Sequence, residues 1–467
     1  MRVADLKTLK ENLWRLFKAN LLFDKSEMSI KDLTQFAKSD GVSSDFARVL
    51  TQFSEVDCLM EKQPLNSSLY DLIEMVENEI RSRQRHISVS EIQTLKRCSL
   101  QHALRYHGRY YLKNDDKSYL RIGSWTHQLI ERLYVDYGYD GVELHGDAQV
   151  LQELKEILEK WKDAAQAGKS KEESDQIEID TAIAFGCFYA YYVEGFKVER
   201  LQGYTLTEEN TEKYFKLPIL SKQGRKSPKY RFKGYMDQLY LGLDEQYYLG
   251  EIKTKSSWGK SGIKHLELDE QITGYLWQLK QQGIDAAGVV YTILKKPGIR
   301  PKKIPVYQVI SNDGSDFFCE ARLQRDAELI KKQAYKDGLD VDVIKQKRIE
   351  TAEEYAQRVI EDYKSRPEFY FFREIVERTP QQIQAFGRRL RFYAKRAAEN
   401  TIENAFPEPA DPFNNYCNFC DYRDVCQHWF DDEKKEKLLA INFSTPRERA
   451  FEKIKLTQAN DELLGDF

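Results

Sequence analysis

The chain has 467 residues, 41% of them hydrophobic and 31% charged, with a formal net charge of −3. That length allows a sizeable core and more than one folded unit, and the balanced charge excludes a generally cationic coat, so any polyanion must meet local basic patches. The opening Met1-Arg-Val-Ala-Asp-Leu-Lys7 lacks the apolar core of a signal peptide and no run is long enough to span a bilayer, so a soluble, cytoplasmic protein is expected.

Residues 1–85 predict a small helical accessory module, with Leu6, Leu9, Leu13, Leu16 and Phe17 at helical spacing and a second stripe at Tyr70, Leu72, Ile73 and Val76. A basic linker follows at 81–86. Ser88-Val-Ser-Glu91 then reads as a capped helix start, the helix running through Ile92, Leu95 and Cys98 towards Leu104. In Gly123-Ser-Trp-Thr-His127 through Tyr134, helical geometry puts Gly123, His127, Glu131 and Tyr134 on one face. A small residue one turn before a histidine lets another chain or a ligand come close. A lone helical histidine is nonetheless more often a satisfied core residue than a ligand.

Residues 140–196 predict further helices, and 196–220 strand-like alternation. The stretch 221–229 predicts a basic turn containing Arg225 and Lys226. Arg231 to Tyr240 and Leu249 to Lys255 predict two strands of a hairpin that is central in its sheet, since apolar residues fall on both faces of the first. Tyr235, Asp237 and Leu239 share one face of the first strand; Leu249, Glu251 and Lys253 share one face of the second. If 242–246 form a five-residue connection, Asp237 lies opposite Glu251 with Cβ atoms about 5 Å apart; an even-length loop would separate them. Two readings stand on these residues: carboxylates gathered round a divalent cation, or a surface hairpin in which Lys253 neutralises one acid.

Beyond the hairpin, Gly259-Lys260-Ser261 lacks the first glycine of a phosphate-binding P-loop, so no ATPase motor is read. A helix opens near Asp269, with Gln271 and Tyr275 one turn apart. Residues 287–294 predict a buried strand and 295–303 a basic loop with Lys295 and Lys296. Residues 316–400 predict helix, ending in Arg388-Arg389-Leu-Arg391-Phe-Tyr, whose basic residues interleaved with aromatics suit either a phosphate backbone or a solvated face. Residues 431–467 predict a charged tail.

Seven cysteines without a secretory signal argue against a disulfide framework. Cys58, Cys187 and Cys319 are scattered. Cys417, Cys420 and Cys426 form C-x2-C-x5-C, and Cys98 far upstream is the available fourth thiolate. The missing second close pair favours a [4Fe-4S] cluster over zinc, with the site clasping two ends of one domain.

In order, Ser88-Val-Ser-Glu91 with Cys98, Gly123…His127, Gly234-x-x-Asp237, Glu251-Ile-Lys253-Thr254, Gln271-x-x-x-Tyr275 and C-x2-C-x5-C resemble the RecB-like branch of the PD-(D/E)XK nucleases. More narrowly, they resemble its iron–sulfur members, such as the nuclease domain of the AddB subunit and the small CRISPR-associated exonucleases. The resemblance covers residues 86–430. It implies an α/β, restriction-endonuclease-like fold: a central mixed sheet flanked by helices, with an iron–sulfur clasp. It implies that His127, Asp237, Glu251 and the Ile252 carbonyl bind Mg²⁺ or Mn²⁺, that Lys253 positions or activates the attacking water, and that Gln271 and Tyr275 orient the site. Cys98, Cys417, Cys420 and Cys426 would hold the cluster. Ser99 stands where a proline is usual, and Glu251 where many relatives have Asp.

The function expected from this resemblance is a metal-dependent DNA exonuclease of recombination, repair or phage DNA processing, acting on single-stranded or end-containing DNA, alone or beside a helicase or recombination protein. The alternatives are a structure-specific or nicking endonuclease and a non-catalytic DNA-binding or helicase-partner subunit.

Overall fold

The computed structural model describes residues 84–113, 117–201, 211–221, 223–257, 266–312, 318–407, 415–445 and 448–449, together with Lys7, Lys10, Glu11, Leu13, Ile73 and Glu77. The expected helical module over 1–85 lies largely outside them; those six residues are helical. The chain forms two compact units interleaved in sequence: one of residues 1–115, 214–235 and 379–467, the other of residues 116–213 and 236–378.

The strands that organise the second unit are β1 (Lys226–Leu241, of which residues 236–241 belong here), β2 (Tyr247–Lys255), β3 (Ala286–Lys295), β4 (Lys303–Ser311), β5 (Phe318–Ala321), β6 (Val341–Ile349) and β7 (Phe371–Val376). β1 and β2 are antiparallel, joined by residues 242–246, and pair Leu241 with Tyr247 through Gln238 with Gly250. β2 runs parallel to β3, and β7 closes the order antiparallel to β3, so the sheet is mixed. The parallel pair needs a crossover, supplied by the helix Glu270–Gln281 (α3 below). β4, β5 and β6 form a separate antiparallel sheet in the order β5-β4-β6.

Three helices pack with the mixed sheet in one apolar core: α1 (Ser118–Arg132), α2 (Lys171–Tyr191) and α4 (Ala352–Ser365), α3 lying between α2 and α4 in sequence. Trp125 and Leu129 of α1, Phe185, Phe188 and Tyr191 of α2 and Val359 and Tyr363 of α4 meet Ile252, Val290 and Leu294 of the strands. Local signals set the helix starts. Ser170 with Glu173 and Thr351 with Glu354 form capping boxes that satisfy free N–H groups reciprocally. Asp269 caps α3 by accepting from the N–H groups of Gln271 and Ile272.

In the first unit, Tyr230–Phe232 of β1 pair in parallel with a strand at Arg85–Ile87, and the strand Thr211–Leu220, of which residues 214–220 belong here, also pairs with β1. The helix Val89–Arg97 is capped by Ser88, whose hydroxyl accepts from the Glu91 N–H. Glu91 is buried and ion-paired with Arg85. It also meets His102 Nε2 at 3.2 Å, while the Asn400 amide donates to His102 Nδ1 at 2.8 Å. The helix Asp432–Asn442 leads into a two-residue strand, Phe443–Ser444, paired with Tyr111–Leu112. No helix among the described residues is long and apolar enough to cross a membrane.

Several sequence expectations are corrected. The basic linker is in part a strand, since Arg85 and His86 pair with β1. The helix expected to run through Cys98 breaks there: Cys98 is extended, ending one helix and capping the next, Ser99–His102. Lys197–Leu201 is helical, and the next described element is the strand Thr211–Leu220. The basic turn is closed by the Ser221 N–H on the Arg225 carbonyl, with Lys226 already in β1. The stretch 316–400 is interrupted by β5, β6 and β7. β6 is rich in charge and mostly half-buried or exposed, and β7 pairs on one side only, so neither carries the apolar alternation of a buried strand.

The α2–α4 contact depends on one glycine. A Cβ built on Gly186 would stand 2.1 Å from Tyr363 Cδ2, and that ring cannot retreat freely because its hydroxyl donates to the Lys295 carbonyl at 2.8 Å. Gly186→Ala is expected to destabilise the second unit by about 1–3 kcal/mol through overpacking, read as a lower denaturant midpoint at unchanged slope; an unchanged midpoint would show that the helices can separate without loss.

Candidate active site

All the residues of the candidate site belong to the second unit. The β1–β2 register, carried one pair beyond Gln238 and Gly250, sets Asp237 opposite Glu251 on one face. The connection has the five residues that this alignment requires. At that point the ladder changes partner: the Ile252 N–H donates to Asp237 Oδ2 at 2.8 Å. The carbonyl of the same residue faces His127 Nε2 at 3.0 Å.

A carbonyl can only accept, so that contact places a proton on Nε2. Nδ1 faces carboxylate oxygens, which also only accept, so the ring carries a second proton there that a bound cation would replace. That nitrogen lies 3.4 Å from Glu212 Oε1 and 3.9 Å from Asp237 Oδ2. His127, Glu212 and Asp237 each offer a ligand atom within 4.8 Å of the others. Burial alone would depress the imidazole, but the charge of Asp237 and the contact with Glu212 outweigh it and carry His127 up to about 8.

Glu251 lies beside this group and is almost fully buried. Its Oε1 accepts from Gln271 Nε2 at 2.7 Å and is ion-paired with Lys253 Nζ. Its Oε2 is buried with no hydrogen-bond partner among the described residues. Burial, and then the neighbouring Asp237 charge, raise the Glu251 carboxyl above the usual carboxylate range against the pull of Lys253. Burial works against the Lys253 charge, but Glu251 and Asp237 more than compensate and hold it protonated above the usual lysine range. The Gln271 amide also donates to the Tyr275 hydroxyl at 3.0 Å, one helical turn along α3. Burial and the Glu251 charge push the Tyr275 phenol upward.

The structure thus brings together His127, Asp237, Glu251, Ile252, Lys253, Gln271 and Tyr275. The surface ion-pair reading of the hairpin is half present: Lys253 does neutralise Glu251, but in a buried place. A Cβ built on Gly123 would meet Thr254 Oγ1 at an ordinary 3.5 Å, so no close approach demands the glycine.

Sequence reasoning missed Glu212 and Tyr291. Glu212 lies in the strand before the hairpin with its backbone in the left-handed region at φ 47°, a strain of about 1 kcal/mol or more. Nothing in its spacing marks it. Tyr291 pairs with Glu251 in the β2–β3 register and is buried; its place in a continuous apolar strand concealed it.

The donor set tests favourably for a hard divalent ion. An imidazole nitrogen that has released its proton and two carboxylates suit Mn²⁺, and the carboxylate oxygens suit Mg²⁺. An unpartnered buried carboxylate oxygen costs about 1–3 kcal/mol or more, and a cation beside it offsets that cost.

The four cysteines expected to hold a cluster all fall in the first unit. Cys98 sits at the helix break, with its sulfur accepting from the Gln101 N–H. Cys417 lies in the turn Asn415–Phe419, and Cys426 in the helix Arg423–Gln427. Cys98, Cys420 and Cys426 pack against one apolar cluster containing Leu100, Leu104, Tyr422, Val425 and Phe443. Burial, then the neighbouring Cys98, lifts the Cys420 thiol to about 11, and burial with Cys98 and Cys417 also raises Cys426. The thiols are unpaired as disulfides.

The seven basic residues proposed for nucleic acid divide between the units. Arg225, Lys226, Arg388, Arg389 and Arg391 belong to the first and are exposed. Lys295 and Lys296 belong to the second and are half-buried, Lys295 Nζ lying 3.9 Å from the centre of the Phe369 ring.

A family profile described as the PD-(D/E)XK nuclease superfamily matches residues 86–427, the span that contains the β1–β2 hairpin, α1, α3 and Cys98, Cys417, Cys420 and Cys426. No individual curated protein matches the chain significantly. With well over half its length matched, the chain belongs to the PD-(D/E)XK nuclease superfamily.

Proposed function

We propose that this nuclease is a Mg²⁺- or Mn²⁺-dependent DNA exonuclease, with a structural [4Fe-4S] cluster in its first unit and a role in recombination, repair or phage-type DNA processing. The observation that carries the reading is the convergence of His127, Glu212 and Asp237 within 4.8 Å, beside the buried Glu251 and its ion pair with Lys253.

His127, Glu212 and Asp237 would hold the ion, with Glu251 beside them. A divalent ion bound there would polarise the scissile phosphate and lower the pKa of a water. The chain's own part is preorganisation. The backbone N–H of Ile252 aims Asp237 and its carbonyl aims His127. Gln271 fixes one oxygen of Glu251 and leaves the other bare. Lys253, held protonated, supplies positive charge where the phosphate gains negative charge, which stabilises the transition state most strongly in a poorly solvated site. Tyr275 keeps Gln271 in place. Hydrolysis needs no electron transfer, so the cluster's role is to tie Cys98 to the distant C-x2-C-x5-C segment, and metal binding of that kind contributes to folding.

Asp237→Ala and Lys253→Ala are each expected to reduce cleavage of end-labelled linear DNA by at least about a hundredfold, while brown colour and iron content stay unchanged. Circular single-stranded DNA distinguishes the reactions: resistance supports an exonuclease, and cutting assigns an endonuclease. Glu212→Gln is expected to weaken Mn²⁺ binding by about tenfold or more, measured calorimetrically without DNA; unaltered affinity would remove Glu212 from the ligand set. Cys98→Ser is expected to abolish the brown colour and lower the melting temperature of anaerobically purified protein. A colourless wild type whose zinc content is stoichiometric would overturn the cluster assignment.

A further inference from the structure

The sheet of the first unit has two contrasting faces. Side chains alternate along a strand, and two ring contacts show which residues share a side. Phe215 and Phe232 lie 5.4 Å apart on the buried side, with Ile87 and Ile219 also buried. Tyr214 and Tyr235 lie 5.0 Å apart on the other side. By alternation, Lys216 joins Tyr214, and Arg231 and Lys233 join Tyr235. His86 pairs with Arg231 in register and falls on the same face.

Two features of this face lack an account within the unit. First, the cations crowd one another. His86 Nε2 is buried with no hydrogen-bond partner among the described residues. Burial and the charges of Lys216, Lys233, Lys7 and Arg231 push His86 down to about 3. Burial and the charges of Lys7, Lys233, Arg231 and Lys10 push Lys216 down to about 8. The strongest charges acting on both are positive, so the cluster is unfavourable by itself and favourable around an anion. Second, Tyr214 and Tyr235 are 48% and 58% exposed, an aromatic pair left in water beside those cations.

We propose that this face binds single-stranded nucleic acid, with phosphates at Lys216, Arg231 and Lys233 and bases stacked on Tyr214 and Tyr235. A cationic track with exposed aromatic rings is the arrangement that holds unpaired strands, since every base has a face to stack. A duplex hides its base faces and would leave the tyrosine pair unused. The proposal takes the identity of the polyanion from the nuclease reading, but none of these residues belongs to the unit that holds His127, Asp237 and Lys253.

The test is fluorescence anisotropy of a short labelled oligothymidylate and a labelled duplex with the full-length protein in EDTA, across a salt series. Tyr214→Ala and Tyr235→Ala are each expected to weaken single-strand binding by about tenfold, leaving duplex binding unchanged, while Tyr214→Phe and Tyr235→Phe retain affinity. Replacing Lys216 and Lys233 by Gln should reduce the salt slope for the single strand by about 0.7 for each phosphate no longer neutralised. Wild-type affinity in the alanine variants, equal losses on both DNAs, or an unchanged salt slope would each overturn the proposal. Asp237→Ala separates it from the catalytic reading: that variant is expected to lose cleavage and keep single-strand binding. If Asp237→Ala still cleaves while the tyrosine variants lose binding, the catalytic assignment fails and the binding face stands.

Discussion

The candidate site depends on the backbone of one residue. The N–H of Ile252 holds Asp237 from β1 and its carbonyl faces His127 from α1, so a single residue of β2 sets the position of two side chains from two other elements. Its own side chain is buried in the core that α1, α2 and α4 share with the sheet. That stretch of backbone is therefore fixed by packing before any ligand is considered. The five-residue connection between β1 and β2 does the rest, because a shift of one residue would send Asp237 or Glu251 through the sheet to its other face.

Around Ile252 the structure tolerates charge in a poorly solvated place. Glu251 is buried with one oxygen unpartnered, and its carboxyl rises because burial and Asp237 disfavour its ionised form. Lys253 compensates in part. Burying charge is costly unless something opposite in sign stands near, and His127, Glu212 and Asp237 gather three more ligand atoms beside it. A fold that needed only stability would be better served by apolar residues at these positions. The arrangement makes physical sense as a cradle for a cation and a phosphate, with Gln271 and Tyr275 keeping the one engaged carboxylate oxygen in place.

Much of this was legible in the chain before folding. Alternation put Asp237, Glu251 and Lys253 on matched faces, and the loop length aligned them. The one-turn spacing of Gln271 and Tyr275 survives as a hydrogen bond, and Ser88 and Asp269 mark helix starts through their capping side chains. What stayed illegible has a common cause. β6 and β7 carry charges and are not enclosed on all sides, so their periodicity does not report a strand. Glu212 is a single carboxylate whose neighbours in sequence say nothing of His127. Cys98 interrupts its helix, although the apolar spacing around it runs on without a break.

The sequence by itself determined the local patterns: which residues share a strand face, which share a helical turn, where helices are capped, and that four thiols and a short acidic motif stand in a recognisable order. Those follow from periods of 2.0 and 3.6 residues and from capping chemistry, all of which act over a few residues. Only the tertiary structure decided that Glu212 joins His127 and Asp237, that Glu251 keeps one bare oxygen, and that Tyr214 and Tyr235 stand exposed among cations. Each of these depends on burial and on contacts between residues far apart in the chain, and no short-range pattern encodes either.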